Sequence, residues 1–174
     1  FAEYYRQLTD EGMTSLIVDL RNNPGGLLDS VVDTLRQILP EGMIVYTQTK
    51  DGTKKEYTCD GETPIRIPLV VLVNENSASA SEIFAGAVHD HEIATLVGTK
   101  TFGKGIVQQT FPFTDGSAIK MTIAKYYTPN GVCIHGEGIT PDVEIELPDD
   151  ATEDVQLNKA IEVAEEKVSG ATAK

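Results

Sequence analysis

The 174-residue sequence is short of the residue types that most often hold cofactors or do chemistry. It has two cysteines, Cys59 and Cys133, and neither sits in a CxxC pair or a Cys/His cluster, which argues against a thiolate metal site. The two could close one disulfide or stay apart as small buried residues, and the sequence leaves both open. Histidine occurs only at positions 89, 91 and 135. Basic residues are scarce too: 14 Lys and Arg face 27 Asp and Glu, a formal net charge of −13. So acidic a chain lacks the positive footprint that nucleic acid or an anionic membrane surface needs, and solubility is the plain consequence of its charge. No apolar run reaches the roughly 18–20 residues of a membrane-spanning helix. There is no repeat, low-complexity tract, linker or signal peptide. The chain opens on FAEYYRQLTDEGM, already helical in pattern and without an initiator Met. It reads as one domain, residues 1–174, truncated at its N-terminus, with 169–174 expected to fray.

What is present is an ordinary globular composition, 40% hydrophobic and 24% charged. Phe1, Tyr4, Tyr5 and Leu8 recur at helical spacing, and Gly12 is a stop. SLIVDL (15–20) reads as a short buried strand broken by RNNPGG (21–26). Leu27, Leu28, Val31, Val32, Leu35, Ile38 and Leu39 trace one helix face that Pro40 ends. MIVYTQT (43–49) and KKEYTC (54–59) flank KDGT, a hairpin turn. IPLVVLVN (67–74), the most apolar run, predicts a central strand. A helix is expected over 78–91, with Ile83, Phe84, Ala87 and Val88 on its apolar face. Strands follow at 94–98, 105–113, 118–128 and 142–147, then an amphipathic helix at 154–168. Strands alternating with helices argue for an α/β domain.

ENSASASEIFAG (75–86) carries Ser77, Ser79 and Ser81 at the junction between the central strand and the next helix. Serines there often do no more than cap the helix. The same corner can also expose a nucleophile in front of the helix N-terminus, where backbone N–H groups stabilise an oxyanion. A serine nucleophile needs a base. His89 and His91 fall two to three turns down the helix on its polar side, His135 falls in a hairpin, and all three read as surface residues. Lysine is the other choice. Lys104 lies between Gly103 and Gly105 with Phe102 and Ile106 beside it, so apolar neighbours could desolvate the amine. A lysine base near neutral pH must be brought down by about 3 pH units from its free value near 10.4, which only such a site provides.

LIVDLRNNPGG, LVNENSASASEIFAGAVHD, GTKTFGKGIVQQ and YYTPNGVCIHGEGITPDVEI, in that order over residues 16–145, resemble the carboxyl-terminal processing peptidases, or tail-specific proteases. The resemblance implies a crotonase-like (ClpP/crotonase) β/α spiral core. It implies a serine endopeptidase that cleaves proteins near their C-termini by acyl transfer, with no cofactor and no metal. Ser79 would be the nucleophile, Lys104 the general base and Gln108 its support. The oxyanion hole would be the backbone N–H of Ala80 and of Gly25 or Gly26. In a straight strand Lys104 and Gln108 share a face but lie roughly 13 Å apart, so contact needs a bend or bulge, which Gly103 and Gly105 could permit, or a bridging water. Asp19 and Arg21 read as structural, a buried ion pair or turn anchor, and Cys133 and His135 get no role. Implied partners are a protein or peptide with an apolar C-terminal tail, a PDZ domain in the parent chain, and a second copy of the chain. The implied setting is the cell envelope, outside the cytoplasm. The alternative is a non-catalytic domain of the same fold that binds an apolar ligand or peptide. The joint presence of Ser79, Lys104 and Gln108 argues against it.

Overall fold

In the computed structural model, which describes residues 1–148 and 150–172, the elements run α1 (Ala2–Asp10), β1 (Leu16–Asp19), α2 (Leu28–Leu35), β2 (Gly42–Thr49), β3 (Lys54–Cys59), β4 (Leu69–Val73), α3 (Ala80–Asp90), β5 (Ala94–Gly98), β6 (Ile106–Pro112), β7 (Ala118–Tyr127), β8 (Val143–Glu144) and α4 (Val155–Thr172). The fold is mixed α/β. A parallel sheet has the order β1-β4-β5-β8, and an antiparallel sheet has the order β3-β2-β7-β6.

The strand of highest hydrophobicity is central, as its composition predicts. All five residues of β4 are buried. Leu69, Val71 and Val73 point into the larger core with Val32, Leu35, Phe84 and Ile44. Val70 and Leu72 point the other way, onto Ala160, Val163 and Ala164 of α4. A strand buried on both faces needs apolar residues at every position, which is why it shows no alternation. Each such side chain contributes about 1.5–3 kcal/mol on burial. β1, expected to be buried, is half-buried because it is an edge strand.

Four expectations shift. The helix predicted over 27–39 is α2, which stops at Leu35. Tighter turns then carry Ile38 and Leu39 into the core, with both their N–H groups on the Leu35 carbonyl. The chain must leave the helical conformation ahead of Pro40, whose ring crowds the residue before it. The last strand, expected over 142–147, is Val143–Glu144 only, because its partner β5 ends at Gly98 opposite Glu144. α3 is buried on every side from Ala80 to Val88, not along one face, because helix and strands pack around it. α4 runs to Thr172 where a frayed tail was expected from 169. Gly170 takes no left-handed conformation, so it does not end the helix; residues 173–174 lie outside the described residues. Cys59 and Cys133 are both free.

Candidate active site

The loops after β1, β4 and β5 meet at the C-terminal end of the parallel sheet, the edge where open α/β sheets place their sites. The three serines separate here. Ser77 Oγ donates to the Leu20 carbonyl (2.7 Å) and accepts the Asn74 N–H (2.9 Å). Ser81 Oγ donates to the Asn23 carbonyl (3.0 Å). Both hydroxyls therefore fasten the β4–α3 corner to the loop after β1. Ser79 has no such task. It is the N-cap of α3 with φ 58° and ψ −114°, a conformation that costs a residue with a β-carbon about 1–3 kcal/mol. A sharp strand-to-helix turn of this kind lifts the central side chain out of the sheet and in front of the helix.

Glu82 supplies what holds that turn. Its side chain is fully buried, with four donors on its carboxylate. Ser79 N–H donates to Oε2 (2.9 Å), Thr101 Oγ1 to Oε1 (2.6 Å), Gly103 N–H to Oε1 (2.7 Å) and Lys104 N–H to Oε2 (2.8 Å). A carboxylate without a cation can stay in a core only when its oxygens are saturated in this way. The result is a rigid link between the Ser79 turn and the loop that carries Lys104. Sequence reading missed Glu82, although S-x-x-E at 79–82 is the capping-box spacing and could have shown one of its four bonds.

Ser79, Lys104, Gln108, Ala80, Gly26 and Tyr126 line one cavity of about 300 Å³. Lys104 and Gln108 both line it, and between Val107 and Gln108 the β6–β7 register shifts, with Ile123 of β7 as the extra residue. The bulged strand is therefore β7; Gly103, one of the two glycines where a bend was expected, has φ +86°, and a β-carbon on Gly105 would meet the His135 nitrogen at 2.4 Å. Tyr126, also missed, is buried beside Ser79, with its hydroxyl donating to the Lys104 carbonyl.

The turn 23–26 closes the site from the β1 side. Gly25 has φ +96°, and a β-carbon there would lie 2.5 Å from the Ala78 carbonyl oxygen and 2.7 Å from the Ala80 nitrogen. Its N–H is taken by Asn23 Oδ1 (2.9 Å). Among the described residues, the N–H groups of Gly26 and Ala80 make no hydrogen bond within the protein. A second, mostly apolar cavity of about 310 Å³, walled by Val18, Leu20, Val31 and Phe84, opens beside them and shares Gly26, Leu27 and Ala80 with the first.

The remaining candidates lie elsewhere. Arg21 bonds Asp19 and also crosses to Asp154 and Gln156, anchoring α4 as well as its own turn. None of the histidines lines the cavity. His135 is exposed, and His89 lies 3.3 Å from Asp142. His91, expected at the surface, is half-buried with Nε2 2.6 Å from the Met43 carbonyl, because α3 packs against β2.

The profile of peptidase family S41 matches residues 1–145. The chain belongs to peptidase family S41. Over 147 residues it is 52% identical to a carboxyl-terminal-processing protease of Synechocystis sp., covering 84% of this chain and 34% of that protein. It is 39% identical over 150 residues to the chloroplastic C-terminal processing peptidase of Tetradesmus obliquus, covering 84% and 32%. Among solved structures, a photosystem II D1 C-terminal processing protease superposes with a TM-score of 0.78 at 37% identity, over 93% of this chain and 42% of that one. The chain thus spans about a third of the length of these curated S41 relatives.

Proposed function

We propose that this chain is the catalytic core of a serine endopeptidase of the carboxyl-terminal processing type, working through Ser79 and Lys104. The observation that carries the reading is the left-handed Ser79 at the start of α3, in one cavity with Lys104 and Gln108. The neutral Lys104 amine takes the Ser79 proton as Oγ attacks a peptide carbonyl. The oxyanion sits on the Ala80 and Gly26 N–H groups; the Gly25 N–H is already spent on Asn23. Protonated Lys104 gives its proton to the departing amine; the neutral Lys104 amine then takes a proton from the attacking water and passes it to Ser79 Oγ as the acyl–oxygen bond breaks. Gln108 orients the lysine. The apolar cavity next to the free N–H groups suits an apolar side chain beside the scissile bond, and so a substrate with an apolar C-terminal tail. We also read the parallel sheet with its covering helices as the crotonase-like spiral.

The test uses the natural chain that carries residues 1–174, a fluorophosphonate probe and a peptide with an apolar C-terminus. Ser79→Ala and Lys104→Ala are each expected to lower hydrolysis by on the order of 10³–10⁶-fold and to remove labelling. If either variant keeps both near the wild-type level, the dyad is wrong. A domain that only binds would retain the peptide and never label.

A further inference from the structure

Lys104 is not alone as a cation at the cavity. Lys120 of β7 lines it too, with Ile106, Val107 and Gln108 of β6, and no Asp or Glu is among the lining residues. Among the described residues, neither the Lys104 nor the Lys120 ammonium is paired with a carboxylate. In a chain of net charge −13 this stands apart. The polar cavity at the ends of β1, β4 and β5 shows the contrast, with Asp19, Glu75, Glu144, Glu146 and Asp154 in its wall.

The pairing of β6 with β7 brings Lys120 there. Thr110 stands opposite Lys120, and Gln108 opposite Thr122. Residues two apart on a strand share a face, so these four make one polar face. Gln108 and Lys120 both line the cavity, so that face is the one turned toward it. The reverse face carries Phe111, Ile119 and Met121, all exposed.

The chemistry sets the direction in which a substrate lies. With its carbonyl oxygen on the Ala80 and Gly26 N–H groups, its acyl side falls by the apolar cavity that shares those two residues. Lys104 must reach the departing nitrogen. The chain beyond that nitrogen therefore leaves past Lys104, over the start of β6 and toward Lys120.

We propose that Lys120 is a specificity-determining residue that receives a carboxylate on the departing, C-terminal segment of the substrate. The proposal rests on the dyad reading above, which fixes that direction. Lys104 acts as a neutral amine, so Lys120 carries the standing positive charge of the cavity. An Asp or Glu side chain supplies the required chemistry, and so does the α-carboxylate that ends an apolar tail. Acidic surface elsewhere repels such a segment, and a local cation selects where it settles. Lys120 is exposed. Its pairing is therefore a screened one, which discriminates between substrates by a modest factor.

The experiment measures kcat/KM in the natural chain that carries residues 1–174, on synthetic peptides of one apolar sequence. Glu or Gln is placed at each residue in turn after the scissile bond, and each peptide is made with a free and with an amidated C-terminus. At low salt the wild type should favour the carboxylate about three- to fivefold. A Glu/Gln ratio of that size at one or two adjacent positions names an acidic side chain as the source, and an acid/amide ratio names the α-carboxylate. Raising salt to about 0.5 M should bring the ratio near one. Lys120→Gln should bring it near one at low salt, and Lys120→Glu should invert it. A preference that survives in Lys120→Gln would overturn the proposal. So would a wild type that never distinguishes the peptides, or a Lys120→Gln variant that loses the same factor on all of them, which would tie Lys120 to the base and not to the substrate. A Ser79→Ala variant that still cleaves the peptides would instead bring down the dyad reading itself, so the two failures are distinct.

Discussion

Glu82 and Asp154 are two carboxylates that fasten loops at the same end of the parallel sheet, under opposite conditions. Glu82 is fully buried and faces no cation; four N–H and O–H donors saturate it. The Asp154 side chain is 36% exposed and is bonded by two nitrogens of Arg21. Formal charge pairing suggests that Asp154 is the stronger clamp. Desolvation says the reverse. An exposed ion pair is screened and contributes about 0–1 kcal/mol. A buried carboxylate holds donors that have no water to fall back on. The loops of the candidate site are thus tied by the strong device and α4 by the weak one.

The largest break in this comparison is Glu82→Ala. It strands three backbone N–H groups and the Thr101 hydroxyl in the core, and should lower stability by about 3–5 kcal/mol in urea titration. Glu82→Gln keeps the shape but turns an amide N–H₂ toward donors, and should lose about 2–3 kcal/mol. If Glu82→Ala unfolds at the wild-type midpoint, the carboxylate is not the clamp.

Gly25→Ala comes next. A β-carbon would lie 2.5 Å from the Ala78 carbonyl oxygen at a φ of +96°. Strain and crowding together predict a loss of about 2–3 kcal/mol. The backbone it would push carries the Ala80 N–H, so labelling of Ser79 should slow as well. A stable, fully reactive Gly25→Ala would show that the 23–26 turn can yield.

A smaller effect isolates the strain at Ser79. Ser79→Gly and Ser79→Ala both lose the hydroxyl, but only glycine relieves φ 58°. Relief of about 1–2 kcal/mol, less glycine's backbone entropy of about 0.5–1, leaves the Gly variant roughly 1 kcal/mol the more stable. If the Ala variant melts as high, Ser79 is not strained and Glu82 has less to hold.

What the sequence revealed follows the same division. β4 was legible because burial on both faces leaves an uninterrupted apolar run. That Ser79 and Lys104 come to one cavity was legible only through the four ordered motifs, since 25 residues of chain separate them. Glu82 was legible in one bond of four: that to Ser79 is a local cap, while its three bonds to 101–104 depend on how β5 returns beside β4. The β7 bulge at Ile123 and the Tyr126 contact were not legible at all. Both depend on cross-strand register, which no periodicity within one strand encodes. α2 was overextended because Ile38 and Leu39 keep helical spacing while leaving the helix.

The weak side of the comparison can be measured cleanly because Asp154 has two tasks. Its Oδ1 accepts the Leu157 N–H (2.9 Å) and caps α4, and both its oxygens bond Arg21. Asn caps a helix about as well as Asp, so Asp154→Asn removes the charge and keeps the cap. The expected loss is at most about 0.5–1 kcal/mol at neutral pH, shrinking in high salt. Asp154→Ala also removes the cap and should lose about 1 kcal/mol more. The pH dependence has a definite sign. Hydrogen bonding from Arg21 holds the Asp154 carboxyl below the usual carboxylate range. Its contribution is therefore present above the ordinary aspartate value of about 3.9 and lost as pH falls through the lowered one. The gap between wild type and Asp154→Asn in urea titration should close over that acid interval and stay constant above it. A gap of several kcal/mol at neutral pH, or one that ignores salt, would place Asp154 with Glu82 and dissolve the contrast.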